Sequence, residues 1–194
     1  MAGEKVVVVG PSGSGKSTLL NLLCGVLPVQ DGSIRLLNQS YKDLSPLRLD
    51  KVRADHIGII FQSLNLIPYL SGFDNAVLGL RFSKARKNRV KDLARTVASL
   101  ATQLGLPPDT LERNPSGLSI GQQQRIAVIR AMLGYPALIL ADEPTSALDP
   151  VATQQFISEL NKSVDSSTQS VIVVSHDPEI IPLFDRVIEI EPAS

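Results

Sequence analysis

Val6, Val7, Val8 and Val9 form an unbroken β-branched run that stops at Gly10-Pro11. A strand buried on both faces has this pattern, and a Gly-Pro pair ends it in a sharp turn. Helical spacing takes over after Lys16, where Leu19, Leu20, Leu22 and Leu23 recur before Gly25 and Pro28 stop the element. Further short apolar runs at Ile57–Phe61, Leu138–Ala141, Val171–Val174 and Val187–Ile190 alternate with helical or loop segments. That alternation predicts an α/β fold built on a mostly parallel sheet. Ser33–Leu37 adds a candidate edge strand. A further helix is predicted after Asp149, which can cap it; Pro150 suits the first turn, and Ala152, Phe156 and Leu160 fall on one face.

From Ser63 to about Ser116 the texture changes. The stretch has no β-branched runs and carries Pro68, a long amphipathic segment through Leu104, and Pro107-Pro108. It reads as a helical subdomain, about 63–118, inserted between the two parts of a single core, about 1–62 and 119–194. No internal repeat or low-complexity tract interrupts the chain. Residues 81–95 hold seven basic side chains (Arg81, Lys84, Arg86, Lys87, Arg89, Lys91, Arg95) against one acid, Asp92. Two readings stay open for this stretch: a solvated helix face, or a contact with anionic lipid or a partner.

The chain's 194 residues, 43% hydrophobic, suffice for one globular domain with a proper core. With 19 Lys+Arg against 19 Asp+Glu, nucleic-acid binding by overall charge is not expected. The single cysteine, Cys24, reads as a small apolar core residue, which fits a reducing compartment. Met1 to Lys5 run straight into the four valines, too short an apolar stretch for a signal peptide, and no run approaches the ~20 apolar residues of a membrane span. Any link to a bilayer is therefore expected to pass through a partner.

Chemistry enters at Gly10-Pro11-Ser12-Gly13-Ser14-Gly15-Lys16-Ser17, which matches G-x-x-x-x-G-K-[ST] between a strand and a helix. Glycines let such a loop curl so that backbone N–H groups point inward at phosphate oxygens, and the helix N-terminus adds positive potential. Lys16 then neutralises the β- and γ-phosphates, and Ser17 offers a hydroxyl to Mg²⁺. Downstream, Leu138-Ile139-Leu140-Ala141-Asp142-Glu143 places two acids at the end of an apolar strand, a costly position unless they face a metal or a reacting water. Asp142 suits the outer shell of Mg²⁺, and Glu143 suits polarising the water that attacks the γ-phosphate.

Two more motifs narrow the field. Leu118-Ser119-Ile120-Gly121-Gln122 precedes a helix through Arg125–Arg130, and Asp142-Glu143-Pro144-Thr145-Ser146-Ala147-Leu148-Asp149 follows it. Together with the phosphate loop these resemble the ATP-binding-cassette (ABC) ATPases, within the P-loop NTPase fold, over nearly the whole chain. The resemblance implies a nucleotide-binding set of Gly10, Pro11, Ser12, Gly13, Ser14, Gly15, Lys16, Ser17 and Thr18. Gln62 looks like the family's Q-loop glutamine, His176 falls at its switch histidine, and Ser146–Asp149 looks like its D-loop. Glu143, His176, Gln62 and Lys16 are implied as catalytic, and Ser17, Gln62 and Asp142 as the metal set. The implied cofactors are ATP and Mg²⁺.

Ser119 with Gln122 also has a reading independent of any family: the pair can form a capping box, leaving a helix N-terminus that favours an anion. In ABC ATPases that anion is the γ-phosphate on the other subunit's loop, so Ser119, Gly121 and Gln122 are implied to act in trans, with Asp149 also on the nucleotide side. A second copy of the chain is thus one implied partner. The segment Phe61–Leu70 with Asp74-Asn75-Ala76 most resembles the lipoprotein-release and macrolide-export subgroup, which implies an integral membrane permease as the other. The implied location is cytoplasmic, peripheral on the inner membrane through that permease. Leu66, Ile67 and Leu70 either meet the permease or simply pack the helical part.

Two departures from the family pattern stand out. Only nine residues precede Gly10 and the first aromatic is Tyr41, so the usual adenine-stacking residue is missing from its place and the expected β-subdomain is reduced. Weak discrimination between ATP and GTP is the expectation. Ile120 stands where the family most often has glycine, adding β-branched bulk near the partner nucleotide; it is tolerated if its side chain turns away. The rival readings are a dimerising switch with negligible hydrolysis, a DNA-maintenance ATPase and a small-molecule kinase. Only 55 residues separate Gln62 from Leu118, too few for the long insertions of the second, and the third has no need of Leu118–Gln122.

Overall fold

The computed structural model describes residues 3–191. Met1 and Ala2, which open the N-terminal stretch read above, and residues 192–194 lie outside the described residues. Five strands, β1 (Lys5–Val9), β4 (Ile57–Ile60), β5 (Leu138–Asp142), β6 (Ser170–Ser175) and β7 (Arg186–Glu189), form one sheet in the order β4-β5-β6-β1-β7. Every pairing in it is parallel. Val7, Ile139, Val171 and Val173 are fully buried, as continuous apolar runs require in a sheet covered on both faces. The β7 edge is exposed along its whole length.

Helices α1 (Lys16–Leu23), α6 (Ile120–Met132) and α7 (Pro150–Ser163) pack on this sheet. Leu20 and Cys24 join Val8, Leu140 and Val174 in one apolar cluster, while Ile126, Ile129, Phe156 and Leu160 join Val7 and Ile139 in the larger one. Cys24 is buried and unpaired, and burial pushes its thiol up to about 11. Asp149 caps α7, its carboxylate accepting the Ala152 N–H at 2.9 Å.

Ser33–Leu37 does not extend the sheet. Only Arg35–Leu36 (β2) is extended, and it pairs with Gln39–Ser40 (β3) as a separate antiparallel ribbon turned by Leu37 and Asn38 at positive φ. Helix α2 (Pro46–His56) had no apolar period to announce it: Asp55 is its one buried residue. The amphipathic stretch before Leu104 is also broken, into α3 (Gly72–Val77), α4 (Lys84–Arg89) and α5 (Leu93–Gln103). Ser83 and Asp92 cause the breaks, each accepting the backbone N–H three residues on, from Arg86 and Arg95.

The basic run at 81–95 is not one solvated face. Arg86 is 4% exposed, and its guanidinium donates to the carbonyls of Ala131 (2.7 Å) and Leu133 (2.9 Å) at the end of α6 and of Ile57 (3.4 Å) at the start of β4. Arg89 donates to Gly134 and Tyr135 nearby. The last carbonyls of a helix lack intrahelical partners, and here Arg86 supplies the donors while Arg89 serves the turn that follows. Burial pulls the Arg86 pKa down to about 10, with the neighbouring Arg89 charge adding to the effect.

Candidate functional site

The register of the sheet brings the chemistry to one edge. Val9 pairs with Ser175, Asp142 with Val174, and Ile60 with Ala141, so the next residues, Gly10, His176, Glu143 and Phe61-Gln62, all emerge at the carboxyl ends of parallel strands. Ligands of open α/β sheets bind at such an edge. Ser12, Gly13, Gly15, Lys16, Ser17, Thr18, Gln62, Glu143 and His176 line a single cleft of about 560 Å³ there. No Phe, Tyr or Trp is among them.

The loop after β1 owes its shape to its glycines. Gly13 and Gly15 have φ of 82° and 94°, and a Cβ on Gly10 would lie 2.5 Å from the Ile190 carbonyl oxygen and 2.7 Å from Ser14 Oγ. Gly15 occupies the N-cap of α1 and leaves the first amides of that helix free of any side-chain cap. Lys16 is 7% exposed, and its ammonium donates to the carbonyls of Gly10 (2.8 Å) and Pro11 (2.9 Å). The result is a ring of amides and one buried cation with no carboxylate bonded to it, the chemistry of a polyanion receptor.

Asp142 is not among the lining residues, but the Oγ of Ser17, which is, approaches Asp142 Oδ1 at 3.5 Å. Asp142 is held above the ordinary aspartate range, first by burial and then by the negative charge of Glu143, while Ser17 and Lys16 pull the other way. A half-buried carboxylate crowded by a second one is short of positive charge, and a hydroxyl beside it completes a pair of hard oxygen donors. Among the described residues no three His, Cys, Asp or Glu side chains gather as a metal site. A Mg²⁺ ion held chiefly by phosphate and water needs only such a pair, so Ser17 and Asp142 fit that ion.

Glu143 sits at φ 45°, a left-handed conformation costing a non-glycine residue roughly 1–2 kcal/mol. Neighbours hold it there: its amide donates to the Val174 carbonyl at 3.0 Å, and Gln124 Nε2 of α6 donates to the Pro144 carbonyl at 2.9 Å. The His176 ring nitrogen Nδ1 lies 2.8 Å from Glu143 Oε2, and the His176 backbone N–H reaches the same oxygen at 3.3 Å. With the carboxylate ionised, that pairing needs a proton on Nδ1.

The remaining sequence candidates lie elsewhere. Ser119 and Gln122 form the reciprocal capping box at the start of α6, with bonds of 3.0 and 3.3 Å, and with Gly121 they are absent from the cleft lining. Asp149 is likewise outside it, engaged as the α7 cap. Ile120 is 53% exposed, its side chain turned out from the helix tip. Leu66 packs against the core, leaving Tyr69, 79% exposed, as the apolar projection of that loop. Gln124, tied to the backbone after Glu143, was not singled out in the sequence; its place in a run of three glutamines carries no periodic signal.

The family profile described as "ABC transporter" matches residues 1–146. An uncharacterized ABC transporter ATP-binding protein of Mycobacterium tuberculosis is 38% identical over 98% of this chain. This chain spans only 56% of that relative, about half its length. The lipoprotein-releasing system ATP-binding protein LolD of Hydrogenovibrio crunogenus is 36% identical, over 95% of this chain and 79% of its own. The macrolide export ATP-binding/permease protein MacB of Rhodopirellula baltica is 36% identical over 98% of this chain and 28% of its own. The dimeric cassette MJ0796 superposes with a TM-score of 0.84 at 34% identity, covering 98% of this chain and 82% of the other. A second MJ0796 dimer, in a post-hydrolysis state with ADP and Pi, matches at the same TM-score and 33% identity, covering all of this chain and 85% of that one.

Proposed function

This chain belongs to the ABC transporter family and has its P-loop NTPase fold, and from that premise we propose that it binds and hydrolyses Mg·ATP between two copies of itself to drive a membrane permease. One observation carries the reading: the amide-lined loop, Lys16, Gln62, Glu143 and His176 converge on a single cleft although they come from four separate strand ends.

In this reading the loop amides and Lys16 receive the triphosphate, the ammonium exchanging a carbonyl of Gly10 or Pro11 for phosphate oxygen. Ser17 and Asp142, with Gln62 of the cleft lining, would hold Mg²⁺, which when bound would offset the phosphate charge and polarise the γ-phosphoryl group. Glu143 accepts a proton from the attacking water, and His176 keeps its carboxylate aimed by the contact at Oε2. Ser119, Gly121 and Gln122, remote from the chain's own cleft, present an exposed helix tip for the terminal phosphate on a second copy. The dimeric MJ0796 cassettes, one bound to ADP and Pi, support the association of two copies. We read residues 63–118 as the helical part that carries this tip and the remainder as the nucleotide-binding core.

For the permease, the groove beside Gln62 is the better candidate than Leu66–Leu70. It encloses about 590 Å³ between α2, β4 and the turn after α3, and Leu47 (80% exposed), Phe61 and Phe82 (74% exposed) line it with Arg53. Among the described residues no helix is long and apolar enough to cross a membrane. From the family reading we propose that the chain sits on the cytoplasmic face of the membrane, docked through this groove onto a cytoplasmic segment of the permease. Phosphate release from Mg·ATP by the purified chain, alone and with a membrane partner, tests the proposal with Lys16→Ala as control. Turnover in the native chain that Lys16→Ala abolishes is the expected result; no turnover under either condition overturns hydrolysis and leaves nucleotide binding alone.

A further inference from the structure

The turn that carries Gln62 is built from conformations that side chains disfavour. Leu64 and Asn65 stand at φ 57° and 49°, both left-handed, and neither is glycine. The local bonds are short-range: Leu64 N–H donates to the Phe61 carbonyl and Asn65 N–H to the Ser63 carbonyl. Besides the buried Leu64 side chain, Arg130, near the end of α6, ties the turn's backbone to the body of the protein. Its Nη2 donates to the Leu64 carbonyl at 2.6 Å and its Nη1 to the Asn65 carbonyl at 2.7 Å. A planar fork suits two adjacent carbonyls as no ammonium does, and charged donors make the bonds short.

Arg130 is itself fixed from behind. Its own carbonyl accepts from the buried Arg86 at 3.3 Å, and its side chain lines the groove shared by Leu47, Phe61 and Phe82. Burial holds its pKa below the ordinary arginine value. One side chain therefore touches both the groove and the turn two residues past Gln62, on the helix whose other end is the Ser119 tip.

We propose that Arg130 is a positioning residue: by gripping the Leu64 and Asn65 carbonyls it sets where Gln62 stands in the nucleotide cleft. The inference rests on the ATPase reading above, so its test uses one readout that needs no turnover. Amide hydrogen exchange is compared in the native chain, Arg130→Met and Arg130→Lys, without nucleotide. Exchange across residues 62–66 rises about tenfold or more in Arg130→Met and less in Arg130→Lys, which keeps the charge but loses the fork, while residues 10–18 hold their native rates. Unchanged exchange at 62–66, or an equal rise throughout the chain, overturns the proposal.

A second arm measures ATP turnover in Arg130→Met, Gln62→Ala and the double variant. The expected pattern is a kcat loss of about tenfold or more for each single, KM within about threefold, and no further loss in the double. Losses that multiply mean that Arg130 acts apart from Gln62 and overturn the proposal. If Arg130→Met does not fold, Arg130→Lys carries both arms. A native chain that turns over no ATP sinks the functional reading while the exchange result still decides the role of Arg130.

Discussion

Replacing Glu143 by glutamine isolates its chemistry from its architecture. The glutamine carbonyl oxygen can still accept from the His176 backbone and ring, now 3.3 and 2.8 Å from Glu143 Oε2, and the strained backbone at φ 45° keeps its supports from Val174 and Pro144. None of the loop amides, Lys16 or Ser17 bonds to Glu143, so nucleotide affinity should hold. What disappears is the proton acceptor. General-base catalysis contributes about 10²–10⁴-fold, or about 3–5 kcal/mol of barrier, and turnover should fall by that factor. Neutralising residue 143 also removes the second cause of the raised Asp142 pKa, so Asp142 should titrate lower in the variant. The assay pairs steady-state phosphate release with ATP binding by calorimetry. Turnover unchanged, or lost together with binding, would refute the role given to Glu143.

Arg86→Met should cost folding stability. It strips donors from the buried Ala131 and Leu133 carbonyls, each left unsatisfied at about 1–3 kcal/mol, so a urea midpoint shift equivalent to about 2–6 kcal/mol is expected. A shift below about 1 kcal/mol would show that water reaches those carbonyls. Asp142→Asn should abolish the Mg²⁺ dependence of nucleotide binding yet stabilise the nucleotide-free fold. Because the folded pKa of Asp142 lies above its ordinary 3.8, its ionisation weakens the native chain as pH rises through that window. The variant's melting temperature should thus exceed the native one at neutral pH and converge with it below about pH 4; a constant gap across that range contradicts the assignment.

The parts of this molecule legible in the sequence are those where one local cause decides the outcome. The valine run, the Asp149 and Ser119 caps and the glycines of the phosphate loop each act within four residues of themselves, and the structure builds them as read. Arg86 and Arg89 were invisible as clamps because the carbonyls they serve lie 29 to 47 residues away. Distance also hid Arg130, whose partners Leu64 and Asn65 sit 66 and 65 positions upstream. Helix α2 escaped notice because its stability comes from packing on β4 beside a polar surface rather than from an apolar stripe. In the site itself, the loop could be named from its own pattern, and Asp142 and Glu143 from their strand-end placement taken together with that loop, but that His176 meets Glu143 at 2.8 Å depends on the β5–β6 register.

A triphosphate shared between the loop of one copy and the Ser119 tip of another demands that nucleotide drive association. Light scattering on the size-fractionated Glu143→Gln chain measures this directly, because slowed hydrolysis holds the loaded state. With saturating Mg·ATP the account predicts twice the mass of one chain, reverting to one on removal of nucleotide. A single-chain mass at saturating, calorimetrically verified occupancy would contradict it.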